Sequence, residues 1–537
     1  MRALLVNPLF PETYWSQCHA LPFVRRRCLL PPLGLITVAA MLPRSWELEL
    51  VDLNVEPLSD GQIQAADVVM LTGMLAQYPS VHDVLARCRR LGVRSIIGGP
   101  YATSLPERLA DADHIVIGEV EELLDDLVAD LEAGRAGRVY REGDKPDLSR
   151  APVPRYDLLR TGAYHHMSLQ FSRGCPFACE FCDVVAMFGR RPRTKSSTQV
   201  MAELESIRKT GFCGDVFFVD DNFIGNKRLV RQLLPQIADW RQQTRAPLTF
   251  YTEASINLSR DEALADEMVR AGFTAAFVGI ETPSESALKE SGKLQNAGLD
   301  LVGSVHRLLR QGLDVWGGFI LGFDEEGDDI FDRMIRFVQQ SAIPYAMVGL
   351  LQAMPNTPLY RRMEREGRLQ GLPVVRGDQF GCTNFLTRLD PRTMLDGYKH
   401  VLESLYSPSV YFERCIRNLE KWIPSRSSRR RYTIAELSGA FRSLIGQGKS
   451  SGYRKSYREF IRWVLTHQPS KLGKALAQAI VGHHLITYTW ETVLPSLERR
   501  IADLSTGPAL GLAPVVFRDE PAVLTSDRPA GRPSAST

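Results

Sequence analysis

Phe171-Ser-Arg-Gly-Cys-Pro-Phe-Ala-Cys-Glu-Phe-Cys-Asp183 places three cysteines, Cys175, Cys179 and Cys182, on one short loop, with three and then two residues between them. A [4Fe–4S] cluster has four irons and is normally held by four thiolates. A loop that offers three leaves one iron open to a small molecule. Ahead of it, Met167-Ser-Leu-Gln-Phe-Ser172 reads as a buried strand, and Gly174 lets the backbone turn tightly into the cluster. The alternative is a structural zinc site, but such sites usually pair two cysteines with a second, distant pair. No second pair is present in the sequence.

A chain of 537 residues suggests three domains at about 150 residues each. The hydrophobic share of 44% and charged share of 24% are those of a soluble globular protein. A net charge of +3 gives no global pull toward nucleic acid. The remaining cysteines, Cys18, Cys28, Cys88, Cys213, Cys382 and Cys415, are scattered and form no disulfide framework. Free thiols and a labile cluster point to a reducing cytoplasm. The N-terminal apolar run is too short for a signal peptide, and no stretch reaches the roughly 18 apolar residues of a membrane span.

Residues 1–140 alternate strands with helices, as a doubly wound parallel sheet does. Strands are expected at Arg2–Asn7, Leu48–Leu53, Ala66–Thr72, Ser95–Gly99 and His114–Gly118, with helices over Leu33–Leu42 and Glu119–Leu131. Ligands of such sheets lie beyond the carboxyl ends of the strands. Those ends carry Asn7 and Pro8, then Thr72, Gly73 and Met74, then Gly98, Gly99 and Pro100, then Gly118 and Glu119. Their glycines would let backbone approach a large ligand closely.

A proline-punctuated linker, 141–165, leads into a second α/β unit, 166–385. A strand over Asp215–Asn222 ends in Asp220, Asp221 and Asn222, where a polar ligand must be held. Glu253 lies inside the apolar run Leu248–Ser255, and a buried carboxylate needs a partner. Further strands are expected at Ala275–Thr282, ending near Glu281, at Val315–Glu325, and at Tyr345–Leu351. Six β/α repeats make a partial, splayed (β/α) barrel with its function at the strand ends. Helices follow over 386–504. A basic run, Ser425–Arg431, with Tyr453, Tyr457, Phe460 and Trp463 behind it, suits either an anionic membrane surface or a solvated loop. Residues 505–537, rich in Pro, Ala and Ser, read as a disordered tail.

The C-x-x-x-C-x-x-C spacing, with Phe181 before the last cysteine, resembles the radical S-adenosylmethionine (SAM) superfamily. With a Rossmann-like sheet ahead of it, the chain resembles the cobalamin-binding radical SAM enzymes. It closely resembles the group containing hopanoid C-2 methylase, on Pro31–Ala40, Phe171–Phe177, Phe218–Asn222, Thr252–Ser255 and Met347–Leu351. The resemblance implies a [4Fe–4S] cluster on Cys175, Cys179 and Cys182 whose open iron chelates SAM. It implies that Asp220, Asp221 and Asn222 receive the SAM ammonium, and that Glu253 and Glu281 face its methionine or ribose. It implies that Gly318-x-Ile320-x-Gly322-x-x-Glu325 packs the adenine, where glycines interrupt a strand they would otherwise weaken. It further implies cobalamin bound without a histidine ligand, with Thr72, Gly73 and Met74 lining its lower face. His114 has the wrong spacing for a cobalt ligand and reads as structural.

The activity implied is radical methylation of an unactivated carbon, best matched to a hopanoid-type polycyclic lipid at C-2, in a cavity that Trp316, Phe319 and Met354 make apolar. An external one-electron donor of flavodoxin or ferredoxin type is implied as partner; the expected place is the cytoplasm, with peripheral contact at the inner membrane as the alternative to a fully solvated surface. Alternatives are another methylated natural product, an oxidative cyclisation with the same cofactors, or a non-catalytic SAM or cobalamin sensor.

Overall fold

A computed structural model describes residues 1–371, 383–424 and 434–506. The basic run at 425–431 and residues 507–537 of the tail lie outside the described residues.

The chain opens with six parallel strands: β1 Arg2–Asn7, β2 Glu47–Asp52, β3 Val68–Thr72, β4 Arg94–Gly98, β5 His114–Ile117 and β6 Val139–Arg141. They lie in the order β2-β1-β3-β4-β5-β6, the doubly wound arrangement expected. Their apolar runs are buried on both faces, as strands covered by helices on each side must be. β6 is an addition that carries the sheet past residue 140. The helix after β5 spans Leu124–Glu132, not Glu119–Leu131, because Glu119 and Glu121 are drawn out of it by arginines of the next unit.

The second sheet has the order β14-β13-β12-β11-β10-β7, all parallel. Its strands are β7 Met167–Leu169, β10 Gly214–Phe218, β11 Leu248–Glu253, β12 Phe273–Glu281, β13 Asp314–Leu321 and β14 Ala346–Leu350. This is the partial barrel. The strand expected over Met167–Ser172 breaks in two: after β7 the chain leaves the sheet, and β8 Ser172–Arg173 pairs antiparallel with β9 Arg193–Thr194. That small ribbon closes the cysteine loop at its base.

Helices Pro391–Leu405 and Pro408–Lys421 back the far edge of the barrel. Tyr398 donates its hydroxyl to Val348 O at 2.9 Å and Asn418 donates to Ala342 O at 3.0 Å, so their core is continuous with the barrel's. The long loop after β1 crosses the molecule to reach the helices that follow, Ile434–Ile445 and Leu472–Tyr488, and the turn Thr489–Val493. Tyr14 hydrogen-bonds Thr489 at 2.6 Å, Tyr488 donates to Glu12 O at 2.9 Å, and Arg442 donates to Phe23 O at 2.6 Å. Among the described residues, no helix is long and apolar enough to cross a membrane.

Candidate functional site

The strand ends of the first sheet open on a cavity of about 290 Å³. It descends along one sheet face between Leu33, Val38, Leu124 and Leu127 of the flanking helices and Met70, Ile96 and Val116 of the strands. Thr72, Gly98, Gly99, Pro100, Gly118 and Glu119 form its rim, while Gln170, Arg173, Met187, Phe188 and Val219 close it from the second unit. The two strand-end faces therefore meet across one space. Gly99 has φ +88°, and a Cβ there would stand 2.5 Å from Thr72 Oγ1; only glycine fits. The cavity lining does not include Asn7, Pro8, Gly73 or Met74. Asn7 bonds Asp52 at 3.0 Å, Pro8 O accepts from Gln77, a Cβ on Gly73 would strike Val81, and Met74 faces solvent. These residues shape the turn below the rim. His114 is buried with Nδ1 2.7 Å from Gly137 O.

The interface is a buried ion network. Glu119 meets Arg173 at 2.7 Å and Arg193 at 2.6 Å, and Glu121 meets Arg173 at 2.6 Å. Glu119 thus acts as a clamp between the units as well as a rim residue.

The cysteine loop is fixed backbone by backbone. Gly174, at φ +94°, donates to Asp221 Oδ2 at 2.9 Å, and a Cβ on it would meet three carbonyls of the turn at Phe188–Arg191. Glu180 N donates to Ser291 O at 2.9 Å, and the Glu180 carboxylate grips Arg362 at 2.7 Å. Asn222 Nδ2 approaches Cys175 Sγ at 4.0 Å, and Gln295 Nε2 approaches Cys179 Sγ at 3.5 Å. Burial pushes the Cys175 and Cys182 thiols up, so holding them as thiolates requires a positive partner such as iron. Among the described residues, only Cys18, His19 and His484 bring three such ligand atoms within 4.8 Å of one another. The loop thiols are spread wider, which suits a multi-iron cluster better than a single zinc ion. The Cys18–His19–His484 group is a hydrogen-bonded joint, with His484 Nδ1 accepting from His19 N and Nε2 on Thr13 O.

Around the loop the strand ends crowd carboxylates. The strand expected to reach Asn222 stops at Phe218, so the three polar residues sit on the turn beyond it. Asp220 is fully buried beneath the loop and accepts the N–H groups of Phe171 and Ser172. Burial pushes it up to about 7. Its place is under the loop rather than in the opening. Asp221, raised to about 6 by burial, holds Gly174. Glu253 is pushed up to about 8 by burial, with Asp221 adding to the rise. Its carboxylate has no hydrogen-bond or ion-pair partner among the described residues. Glu281, itself at φ +68°, pairs with Lys293 at 2.6 Å. Burial opposes the Lys293 charge, but Glu281, Cys179 and Cys182 outweigh it and hold the ammonium protonated. A largely buried carboxylate without such a partner, close to Asp221 and Lys293, fits a cationic ligand.

On β13, Gly318 abuts Phe277, which leaves no room for a side chain. Gly322, at φ +109°, is capped by Glu326, whose carboxylate accepts from Gly322 N at 2.8 Å, Phe323 N at 3.2 Å and Thr282 Oγ1 at 2.7 Å. The acid of the G-x-I-x-G turn is therefore Glu326; Glu325 is exposed. One residue more is needed for a carboxylate to fold back onto Gly322 N. Ile320 packs beside Phe181 and Phe323.

Closer to the strand starts, on the barrel's inner face, lies a row of rings. Phe217 stacks on Tyr251 at 4.6 Å, Tyr251 meets Trp316 at 5.0 Å, and Trp316 stacks on Tyr345 at 5.1 Å. Trp15, from the loop after β1, covers Phe277 at 4.9 Å. Phe319 does not join them. Side chains alternate along a strand, so it faces the outer helices and Phe337 at 6.0 Å. Sequence reasoning missed Lys293, Gln295 and Trp15. Each lies in a stretch without strand or helix periodicity, and only the pairing of Ser291–Gln295 with the cysteine loop reveals the first two.

The radical SAM superfamily profile matches residues 169–338, a B12 binding domain matches 24–128, and a domain of unknown function matches 357–494. The chain is 39% identical to an uncharacterized methyltransferase of Synechocystis sp., over 91% of this chain and 92% of that one. It is 31% identical to the hopanoid C-2 methylase of Rhodopseudomonas palustris, over 91% and 94%. In fold it resembles the radical SAM methyltransferase TsrM from Kitasatospora setae, solved with cobalamin and a [4Fe-4S] cluster, with a TM-score of 0.59 at 16% identity over 89% and 99% of the two chains.

Proposed function

The chain belongs to the cobalamin-binding radical SAM methyltransferases, and from that premise we propose that its substrate is a hopanoid-type polycyclic lipid, methylated at C-2. Its cofactors are a [4Fe–4S] cluster, SAM and cobalamin. When bound, the cluster and SAM supply a carbon-centred radical that removes a substrate hydrogen atom, and cobalamin supplies the methyl group.

The chain's own residues do the rest. Cys175, Cys179 and Cys182 hold the cluster, with Asn222 and Gln295 directed at two of the sulfurs. Glu253 takes the ammonium of SAM, and Asp220 and Asp221 keep the loop beneath it in place. The Gly322 turn, capped by Glu326, packs the adenine beside Ile320 and Phe181. Gly98, Gly99 and Gly118 admit the corrinoid by omitting side-chain bulk, with Thr72 and Pro100 beside them on the rim. The aromatic row from Phe217 to Tyr345, with Phe277 and Trp15, lines the substrate's place and excludes water. No general base is required, since the hydrogen leaves as an atom.

The likeness to the R. palustris enzyme along nearly the whole chain carries the substrate reading, and the aromatic row supports it. An external one-electron carrier would reduce the cluster. Contact with a membrane surface, where such a lipid resides, draws on the helix Ile434–Ile445, along which Leu437, Phe441, Leu444 and Ile445 are exposed. Anaerobic turnover with methyl-labelled SAM and a hopanoid tests the proposal. A product heavier by one methylene, about 14 mass units, plus the added mass of the label supports it. An unlabelled, oxidised or cyclised product would instead favour the cyclase chemistry, and no conversion of any polycyclic lipid would move the substrate elsewhere.

A further inference from the structure

On the outer side of the cysteine loop lies a groove of about 600 Å³, lined by Lys145, Arg190, Arg191, Arg193 and Arg228, with Asp147 the one acid in its lining. The cations divide into two sets. Lys145 and Arg193 form the inner wall and are engaged, Lys145 with Glu142 and Arg193 with Glu119. Arg190, Arg191 and Arg228 are exposed, and none has a carboxylate partner among the described residues. Surface guanidinium groups left unpaired beside one another repel, so the arrangement costs stability unless an anionic surface meets it.

The groove touches the cluster loop through covalent neighbours of its ligands. Arg190 Nη2 donates to Pro176 O at 3.2 Å, one residue from Cys175. Gly189 O accepts the Cys175 N–H at 3.3 Å. Carbonyls of Phe188, Gly189 and Arg191 pack on Gly174. Elsewhere the loop meets Asp221, Gln295 and Lys293, on the side proposed above for SAM. An electron from outside thus has a path through the groove that does not cross the substrate's side.

We infer that this groove is the docking surface for the enzyme's electron donor, a small one-electron carrier protein with an acidic rim around its flavin or iron–sulfur centre. The inference rests on the reading that an external carrier reduces the cluster. Arg190, Arg191 and Arg228 receive the carrier's carboxylates and steer its approach. One electron leaves the reduced carrier and enters the cluster on Cys175, Cys179 and Cys182; the carrier is oxidised by one and the cluster reduced by one.

The test compares the wild-type holoenzyme with an Arg190→Glu/Arg191→Glu/Arg228→Glu variant and a milder Arg190→Gln/Arg228→Gln variant. A flavodoxin is the protein donor and reduced methyl viologen the small one. Flavodoxin binding is read by calorimetry at two salt concentrations, and cluster reduction by its electron paramagnetic resonance signal. Charge reversal is expected to weaken flavodoxin binding and slow cluster reduction by flavodoxin about tenfold or more, and to abolish their salt dependence, as for a steered encounter. The milder variant is expected to fall between. Iron, corrin absorbance and reduction by methyl viologen stay at wild-type levels. Unchanged flavodoxin affinity and rate in both variants would overturn the inference. So would a loss of corrin absorbance with flavodoxin binding intact, which would make the groove a cofactor contact. If methyl viologen also fails to yield 5′-deoxyadenosine in the wild-type enzyme, the enzymatic reading fails and not the docking surface.

Discussion

The two sheets of this protein share one plan, six parallel strands with helices outside, yet their strand ends solve opposite problems. The first sheet makes its site by leaving side chains out. Gly98, Gly99 and Gly118 lower the rim, aliphatic residues line the cavity, and the two acids at the edge, Glu119 and Glu121, are engaged by Arg173 and Arg193. The second sheet makes its site by putting side chains in: three thiols, four carboxylates at Asp220, Asp221, Glu253 and Glu281, and the Lys293 ammonium. The first face is shaped to hold a large group by fit, and the second is equipped to hold a small charged one by ligation. Both lie beyond the carboxyl ends of the strands, as open α/β sheets place their ligands, so topology sets the position and side chains set the chemistry.

That contrast is broken most severely at the thiols. Cys179→Ala should abolish iron retention and the release of 5′-deoxyadenosine under chemical reduction while corrin absorbance persists. Intact cleavage in this variant would remove the cluster assignment. The converse experiment adds bulk to the other face. Gly99→Leu places a side chain against Thr72 at φ +88° and ψ −170°, at a backbone cost of about 1–3 kcal/mol. Corrinoid retention should fall with iron content unchanged, and equal loss of both would mean that the two sites are not separable.

The clamp between the sheets comes next. Glu119→Gln leaves Arg173 and Arg193 buried without their shared partner, which should destabilise the protein by about 3–5 kcal/mol, read as a lower denaturation midpoint. A shift below about 1 kcal/mol, the range of exposed pairs, would show that solvent enters the interface.

A smaller effect is a pH dependence. An unfolded glutamate titrates near 4.5, and folded Glu253 near 8. Between those values the folded, ligand-free protein holds a proton that the unfolded chain has released, so this group's contribution to stability falls as pH rises. A cationic ligand favours the carboxylate and reverses the trend. The gain in melting temperature on adding SAM to anaerobic, cluster-loaded protein should therefore grow from about pH 6 to about pH 7.5. Glu253→Gln should flatten it; an unaltered slope would place the ammonium elsewhere. The finest contrast separates neighbours. Glu326→Ala should cost about 1–3 kcal/mol by stranding Gly322 N, Phe323 N and Thr282, whereas Glu325→Ala should stay within about 0.5 kcal/mol. Equal effects would undo the assignment of the turn's acid to Glu326.

Much of the fold was readable because strands buried on both faces write long apolar runs. All five strands expected in the first unit are present, shifted by a residue or two at their ends. β6 was missed because three residues, Val-Tyr-Arg, carry no pattern. The cysteine loop was readable because its ligands are adjacent in the chain. The acids at Asp220 and Asp221 were found by residue type, but type could not say that Asp220 faces down onto Phe171 and Ser172. Phe319 was misplaced because aromatic content was read without the alternation that turns it away from Trp316.

Sequence alone determined the three-cysteine spacing, the order of the two α/β units and the class of cofactor, since these rest on local spacing and on apolar runs that few structures satisfy. Only the tertiary structure decided that Glu119 and Glu121 clamp one unit to the other, that Lys293 and Gln295 reach the thiols, that Trp15 covers the barrel from a loop hundreds of residues away, and that three arginines outside the cluster have no carboxylate partner among the described residues. Those pairings join segments whose separation along the chain leaves no periodic trace. Burial and Coulomb energy select them only once the sheets have packed.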